Sequence, residues 1–202
     1  MASVYDLKPA FQRLLRPAVE TLARKGVAAN QVTISALLLS LLTGLAIMAN
    51  AERPAILLLL PIVLFLRMAL NAIDGMLARE HDQKTRLGAV LNELGDVISD
   101  TALYLPLAAV NGFDPRLIAL IVLVSALSEM TGVLTQTVGA SRRYDGPMGK
   151  SDRAFVFGTL GLVLGLGVRP DDWLIWVQVA LLALLALTVY NRVRRGLAEG
   201  SH

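Results

Sequence analysis

A polar segment between residues 71 and 100 carries the side chains that could do chemistry in an otherwise apolar chain. If the segment is helical, Asn71, Asp74, Gly75 and Ala78 lie on one face, because they are spaced three or four residues apart. Gly75 and Ala78 are small, so a ligand can approach the backbone closely there. Arg79 follows at the end of the same face. Carboxylates within hydrophobic helices are rare unless they have a function, and this face therefore indicates a site.

A second polar face follows a few residues later in the same segment. Asn92, Asp96 and Asp100 are each one helical turn apart, so their oxygen atoms also share one side of a helix. Two such faces that meet across a cleft can hold a hard divalent cation, since such ions prefer oxygen ligands. The alternative is that these are ordinary polar residues near helix ends that pair with one another. Carboxylates on two adjacent segments favour the metal site.

The spacing resembles the signature of the CDP-alcohol phosphatidyltransferase family, Asp-x2-Asp-Gly-x2-Ala-Arg-x8-Gly-x3-Asp-x3-Asp. Eight positions over 26 residues match in spacing, and six of them match in residue type. The eight are Asn71, Asp74, Gly75, Ala78, Arg79, Gly88, Asn92 and Asp96. So many fixed positions make a specific motif. The similarity runs along nearly the whole chain and is closest to a bacterial branch of the family, the YnbA-like proteins.

The resemblance implies a reaction in which CDP-diacylglycerol and an alcohol give a phosphatidyl alcohol and CMP. It implies Mg²⁺ or Mn²⁺ as cofactor, and it assigns the general base on the acceptor hydroxyl to Asp96. The predicted metal ligands are Asp74, Asp96, Asn71 and Asn92, with Asp100 one turn further as an extension of the set. The predicted nucleotide-binding residues are Asn30, Thr33, Asn71, Asp74, Gly75, Ala78 and Arg79. For Asn30 and Thr33, a helix cap is the alternative.

Asn71 and Asn92 are the chief departure from the family pattern. An amide oxygen can still bind Mg²⁺ but carries no charge, so the motif core offers two carboxylates where the pattern offers four. Two divalent ions would then be poorly neutralised unless Asp100 and Glu93 join in. Three outcomes follow: one metal ion instead of two, a rearranged pair that uses Asp100, or a protein that binds nucleotide without turnover. The unchanged Asp74, Arg79 and Asp96 of the motif favour retained catalysis.

A basic loop from Ser141 to Arg153 is the second candidate site. Its four cations, Arg142, Arg143, Lys150 and Arg153, are predicted to bind the phosphate of an acceptor or of the lipid donor. The alternative is that they only set the orientation of the chain in a membrane. Within the family, basic residues at this place suit a phosphorylated alcohol such as glycerol 3-phosphate better than serine.

The composition is that of a membrane protein, with 202 residues, 55% of them hydrophobic, and a mean hydropathy of +0.59. Cysteine is absent, which excludes disulfides and thiolate metal sites. Separate apolar runs predict six spans, at roughly residues 30–50, 54–80, 87–110, 116–139, 154–168 and 173–191. These runs disfavour the alternative of a soluble helical bundle. The fifth run is short and glycine-rich, which suits close helix packing.

The N-terminal segment mixes apolar and basic residues at helical spacing over residues 4–25. It predicts an amphipathic helix on an anionic membrane surface, bent at Pro17, with a soluble packing helix as the alternative. The predicted fold is thus an all-α integral membrane protein with six transmembrane helices after an interfacial helix. The predicted domains are residues 1–27 (the amphipathic helix), 28–196 (the membrane domain) and 197–202 (a short tail).

The distribution of positive charge predicts the orientation. With both termini inside, fifteen of the nineteen Lys and Arg residues are cytoplasmic and three lie in external turns. This bias places the motif, the basic loop and the N-terminal helix on the cytoplasmic side. The nineteenth is Arg67, within the second span, and Glu129 lies within the fourth. These two pair with each other or with Asp100, or they belong to the site.

The sequence therefore predicts a phosphatidyltransferase of the bacterial inner membrane whose active site faces the cytoplasm. The expected partners are CDP-diacylglycerol, a small alcohol, membrane lipid and a second copy in a homodimer, and no nucleic acid. A different class of protein is a small transporter or cation-binding protein with an acidic ion path. The spacing of Gly75, Ala78, Arg79 and Gly88 has no purpose in such a protein. A nucleotide-binding pseudoenzyme is the third possibility.

Overall fold

Helices make up nearly all of the regular structure in the described part of the chain. The computed structural model describes residues 4–200, with side chains from residue 9 onwards, and no strand occurs among them. Seven α-helices occupy these residues: α1 (Val4–Arg24), α2 (Ala29–Ala49), α3 (Leu59–Glu80), α4 (Arg86–Tyr104), α5 (Pro115–Leu134), α6 (Lys150–Gly165) and α7 (Trp173–Glu199). Short 3₁₀ helices cover Pro54–Leu58, Leu105–Ala109 and Thr135–Val138. The all-α prediction is confirmed.

Four helical segments are long and apolar enough to cross a membrane. They are Ala29–Ala49, Pro54–Glu80, Pro115–Val138 and Trp173–Glu199, with mean hydropathies of 2.1 to 2.4. Each has at least the roughly 20 residues that a bilayer requires. The two other predicted spans are not among these four segments. The α4 helix carries several carboxylates and is therefore not apolar enough, and α6 has only 16 residues and is too short. The arrangement of six spans therefore stays a prediction.

The chain divides into two compact units. The first contains residues 1–39 and 65–96, and the second contains residues 40–64 and 97–202. The boundaries fall inside α2, α3 and α4, so these helices contribute residues to both units. Every position of the motif, from Asn71 to Asp96, belongs to the first unit.

The first unit has a small apolar core. Its buried members are Val19, Ala29, Val32, Ile73, Met76 and Leu77, with Leu15 and Leu22 packed against them. Part of the apolar face of α1 thus packs on α2 and α3, while Leu14 is 74% exposed. The helix runs without interruption through Pro9 and Pro17. Its predicted place on a membrane surface stays a prediction.

The second unit packs closely around α6. Tyr104 stacks on Phe157 with their ring centroids 4.1 Å apart, and both side chains are fully buried. At Gly161, an added Cβ would lie 2.7 Å from the backbone oxygen of Leu57, and at Gly165 it would lie 2.8 Å from the side chain of Leu58. Gly161 and Gly165 are therefore needed where the backbone of α6 meets Leu57 and Leu58, in agreement with the close packing that the sequence predicted, whereas a Cβ at Gly158 would make only ordinary contacts at 3.7 Å.

Candidate active site

The motif half on α3 lines a pocket of about 360 Å³ within the first unit. The lining residues are Ala29, Asn30, Thr33, Asn71, Asp74, Gly75, Ala78, Arg79, Gln83, Lys84, Thr85, Gly88, Ala89 and Asn92. All seven residues predicted to bind the nucleotide are among them. Five of the seven belong to α3, where the helical period places them on one face, and the other two, Asn30 and Thr33, come from α2.

Asp74 is the buried carboxylate of this pocket, with 6% of its surface exposed. Its Oδ2 accepts a hydrogen bond of 2.7 Å from the Thr33 hydroxyl. The Thr33 hydroxyl also lies 3.2 Å from the carbonyl oxygen of Ala29, one turn back on α2. A charged acceptor makes a hydrogen bond stronger than a neutral one does. Thr33 therefore holds the Asp74 carboxylate in a fixed orientation.

Two glutamine side chains accept the backbone N–H groups at the start of α2. Asn30 and Thr33, for which a helix cap was the alternative role, do not accept them. The backbone N–H of Ala28 donates to Gln31 at 2.9 Å, and that of Ala29 donates to Gln83 at 2.6 Å. Asn30 and Thr33 are thus left to line the pocket. This removes the main reason to treat them as a helix cap.

Asp96 lies on α4 and contacts two residues of α3. The Nη2 of Arg67 donates to the backbone oxygen of Asp96 at 3.1 Å and lies 3.4 Å from its Oδ1. The Nδ2 of Asn71 lies 3.4 Å from the same Oδ1. Arg67 is buried, with 3% of its surface exposed. Asp96 was not among the partners that the sequence predicted for Arg67, and no pattern in the sequence pointed to this pair.

Two glycines allow close approach around the pocket. At Gly75, an added Cβ would lie 3.1 Å from Nη1 of Arg79, so the guanidinium lies over this glycine. At Gly88, an added Cβ would lie 2.7 Å from Oδ1 of Asn30. Both positions belong to the motif, and both bring a polar side chain against the helix backbone.

The turn between α3 and α4 supplies pocket residues that sequence reasoning missed. Gln83 lies against the start of α2, and the Thr85 hydroxyl accepts a hydrogen bond of 2.8 Å from the N–H of Gly88 at the start of α4. Lys84 adds a cation to the lining. The charge of Lys84 was the one available signal, since glutamine and threonine are common in any polar turn.

The second unit holds Asp100 and the predicted phosphate-binding cations. Asp100 Oδ2 accepts hydrogen bonds from Arg153, at 2.7 Å from Nη2 and 3.0 Å from Nε. Arg153 also donates to Glu129 at 3.1 Å, and both Arg142 and Arg192 lie 3.5 Å from that carboxylate. Arg153 is 1% exposed. A buried charge of this kind needs such partners to be stable.

The loop before α6 contains a more accessible group of charges. Arg143 donates to Asp145 at 2.7 Å and also to Glu199, and Arg195 donates to Asp145. Burial raises the pKa of the Asp145 carboxyl, but the hydrogen bonds and charges of its two arginine partners outweigh this and hold it below its ordinary value. Lys150 begins α6 and is partly buried.

Two amides of this loop are bound within the protein. The N–H of Gly149 donates to Asp152 at 2.9 Å, and that of Met148 donates to Thr188 at 3.0 Å. Neither group is directed at a ligand. The four predicted phosphate-binding cations thus lie near one another in sequence, but Arg142, Arg143 and Arg153 all contact carboxylates of the protein.

Comparison with known proteins places this geometry in a family. The model of the CDP-alcohol phosphatidyltransferase family matches residues 26–189. Inner membrane protein YnbA of Escherichia coli (strain K12) is 50% identical over 194 residues, which is 95% of each chain. An uncharacterised protein of Aquifex aeolicus is 30% identical over 91% of this chain and 84% of its own.

Solved structures with the same fold come from phosphatidylinositol phosphate synthase of Mycobacterium tuberculosis. Its complex with manganese and citrate aligns with a TM-score of 0.74 and 23% identity, over 89% of this chain and 87% of its own. Its complex with CDP-diacylglycerol aligns with a TM-score of 0.72 and 24% identity, over 93% and 94%. At this identity the two structures show the fold.

The chain belongs to the CDP-alcohol phosphatidyltransferase family, and it is a phosphatidyltransferase. The family uses a divalent metal ion, Mg²⁺ or Mn²⁺. The four apolar helices of this chain, together with the name of the relative from E. coli, indicate a protein of the bacterial inner membrane.

The donor atoms of the motif in the first unit are of the chemical kind that such an ion binds, and Asn71, Asp74 and Asn92 line the same pocket. Asp74 and Asp96 supply carboxylates, and Asn71 and Asn92 supply amide oxygens, all of which are hard ligands. No group of three or more carboxylate or histidine side chains in the described residues could hold a metal ion. Because two of the four motif positions are amides, the set has the right atoms but half the charge that four carboxylates would carry.

Proposed function

We propose that the chain moves a phosphatidyl group from CDP-diacylglycerol to a small alcohol and releases CMP. The observation that supports this most strongly is the pocket of the first unit, which gathers all seven of the predicted nucleotide-binding residues around Asp74. A transporter built on an acidic ion path has no need for the glycine, alanine and arginine positions that shape this pocket.

The roles of the pocket residues follow from their chemistry. The hydroxyl and amide of Thr33 and Asn30 suit the polar edge of a cytosine or its ribose. Arg79 and Lys84 suit the oxygens of a pyrophosphate, because a cation neutralises their charge. Gly75 leaves room for the Arg79 guanidinium against the backbone of α3, which keeps this cation in the pocket lining. A bound Mg²⁺ or Mn²⁺ would supply charge neutralisation for the leaving CMP.

The transfer requires a base for the acceptor hydroxyl. In the proposed step, the acceptor oxygen forms a bond to the phosphorus that carries the diacylglycerol. The bond between that phosphorus and the oxygen of CMP breaks, and CMP leaves with the electron pair. The proton of the hydroxyl passes to a carboxylate oxygen of Asp96. Arg67 holds this carboxylate in place from the neighbouring helix.

The acceptor is proposed to be a small phosphorylated alcohol of the glycerol 3-phosphate kind. The cations Arg142, Arg143, Lys150 and Arg153 support this, since phosphate is bound by arginine and lysine in proteins. Their contacts with carboxylates weaken the support, because those contacts already use part of their charge. An uncharged polyol therefore belongs in every test of the acceptor.

The proposed setting is the inner membrane of a bacterium, with six spans after a helix on the membrane surface. The bias of positive charge supports cytoplasmic termini and an active site that faces the cytoplasm. Exposed apolar side chains on the long helices, such as Leu42 and Leu45 at 66% each, support contact with lipid. A homodimer is proposed from the family resemblance alone.

The test is CMP release by the purified protein in detergent, with CDP-diacylglycerol and Mg²⁺ or Mn²⁺. The acceptors are glycerol 3-phosphate, inositol phosphate, serine, free polyols and water. We expect release that depends on an acceptor and disappears in the Asp96→Asn variant. The matched control is Glu80→Gln, which removes an exposed carboxylate that pairs with Arg16 and should leave release unchanged.

The other outcomes separate the remaining possibilities. CMP with Mn²⁺ stabilises any protein that binds them in its folded form. Stabilisation without release with any acceptor would refute turnover and favour a pseudoenzyme. The absence of both release and stabilisation would refute the nucleotide site and favour a transporter or cation-binding protein.

A further inference from the structure

Arg67 is a fixed positive charge beside the metal-donor residues of the first unit. It lies one helical turn before Asn71 on α3, and its Nη2 is 3.4 Å from Oδ1 of Asp96. Its side chain is 3% exposed, and a guanidinium stays protonated at any ordinary pH. The position of this charge is thus set by the fold and does not depend on a bound ligand.

The charges of the donor set leave room for one divalent ion. The four donor residues carry two negative charges, from Asp74 and Asp96, and Arg67 reduces this to a net charge of about minus one. One divalent ion brings the group to about plus one, and two would bring it to about plus three. Placing so much uncompensated charge in a partly buried site is costly.

The contacts of Asp96 point the same way. Its Oδ1 is approached by N–H groups of both Arg67 and Asn71, each at 3.4 Å. A carboxylate that bridges two cations uses both of its oxygens, and here one of them faces two N–H groups of the protein. Asn71 could not donate in this way if it were an aspartate, so the amide and the arginine act together.

We propose that the chain binds a single divalent cation, and that the Arg67 guanidinium supplies at Asp96 the positive charge that a second ion would otherwise bring. This inference deepens the proposed function and rests on it, since it concerns the metal ion of the same site. Arg67 is then a positioning residue that acts through Asp96, and Asn71 and Asn92 are suited to the lower charge of the site.

The test counts bound Mn²⁺ in the purified full-length protein. Equilibrium dialysis against Mn²⁺, with the free ion measured by electron paramagnetic resonance, gives both the number of ions per chain and their Kd. We expect one ion per chain in the unchanged protein, with or without CMP. The Asn71→Asp, Asn92→Asp double variant should bind two. Two ions in the unchanged protein, or none, would overturn the proposal, as would a double variant that still binds one.

The role of Arg67 is tested by three single variants. Arg67→Gln removes the charge and should lower the Kd of the single Mn²⁺ about tenfold, because a cation within a few ångströms opposes the binding of another. Arg67→Lys should restore the original Kd. The matched control, Arg16→Gln, removes an exposed arginine of the same unit and should not change the Kd. A folded Arg67→Gln variant with an unchanged Kd would refute the electrostatic role.

If the buried Arg67 is needed for folding, the ion count of a variant that keeps it still tests the proposal. The Asn71→Asp, Asn92→Asp double variant retains Arg67, and its ion count tests the proposal without any change at the buried arginine. Failure of this inference is also distinguishable from failure of the proposed function. Two ions per chain together with acceptor-dependent CMP release would refute the inference alone. One ion per chain without release from any acceptor would refute the function alone.

Discussion

Gly88 is the position where a single added methyl group should disturb the proposed nucleotide pocket without unfolding the protein. In the Gly88→Ala variant, the new Cβ would lie 2.7 Å from Oδ1 of Asn30 and 2.9 Å from Oγ1 of Thr85. Ordinary contact begins near 3.4 Å, so the Asn30 amide has to retreat by about 0.7 Å. Thr85 also has to move, which weakens its hydrogen bond to the N–H of residue 88.

The expected energies separate binding from stability. Overpacking of this kind costs about 1–3 kcal/mol, and replacing a helical glycine by alanine returns about 1 kcal/mol. The free energy of unfolding should therefore fall by no more than about 2 kcal/mol. The displaced Asn30 lies in the pocket lining, so CMP should bind about tenfold more weakly, which corresponds to about 1.4 kcal/mol. Isothermal titration of CMP with Mn²⁺ and a thermal unfolding curve measure the two effects.

A double-mutant cycle and a matched control make this prediction sharp. Asn30→Ala removes the atom that the methyl group meets, so Gly88→Ala should cost little further affinity in that background. Gly95→Ala is the control on the same helix, because its Cβ would meet only a methyl of Thr33 at an ordinary 3.8 Å. If Gly88→Ala binds CMP as well as the unchanged protein does, or costs as much without Asn30, the argument from contact is wrong.

Three further predictions concern hydrogen bonds and charges. Thr33→Val removes the 2.7 Å hydrogen bond to Asp74 and should weaken CMP binding in the presence of Mn²⁺ about tenfold, measured by titration. Arg153→Met removes the guanidinium that donates two hydrogen bonds to the buried Asp100 and should lower the free energy of unfolding by about 3–5 kcal/mol, measured by chemical denaturation. The pKa of Asp145 is lowered in the folded protein, so its contribution to stability is present above its unfolded pKa of about 3.9 and is lost as the pH falls through the lower folded value. Asp145→Asn should therefore lower the melting temperature at pH 7 and approach the unchanged protein at pH 3.

Each of these has a control or a contrary result. Thr101→Val is the control for Thr33→Val. The one described hydrogen bond of the Thr101 hydroxyl is donated to the carbonyl oxygen of Val97 on the same helix, so this variant should leave CMP binding unchanged. The Asp100→Asn, Arg153→Met double variant should recover part of the lost stability, and no recovery would contradict the pairing. A difference between Asp145→Asn and the unchanged protein that stays constant from pH 7 to pH 3 would refute the electrostatic argument.

The helical frame and the pocket lining could be read from the sequence to a large extent. The first apolar run was predicted at residues 30–50 and is a helix at Ala29–Ala49. The residues of the motif on α3 meet in one pocket because the helical period alone places them on one face. Boundaries set by local hydrogen bonds were less accurate. The α6 helix begins at Lys150 and not at residue 154, since Asp152 binds the N–H of Gly149 at its start.

The contacts between side chains distant in sequence could not be predicted. The pair of Arg67 and Asp96 links residues 29 positions apart, and its formation depends on how α3 and α4 pack. The same holds for Glu129, which meets three arginines of the second unit. Sequence patterns give the face on which a residue lies, but several oppositely charged residues on neighbouring faces are then equally suitable partners. The choice among them is made by packing.

Gln83 holds the rim of the proposed nucleotide pocket in place through contacts within the protein. Its side chain accepts from the N–H of Ala29 at 2.6 Å and donates to the carbonyl oxygen of Val27 at 3.4 Å. The turn that carries Lys84 and Thr85 is thereby tied to the start of α2. The conformational entropy of this rim is lost when the protein folds and not when the nucleotide binds. Because the rim is preorganised, the contacts that the proposed nucleotide makes there would contribute to its affinity without that entropic cost.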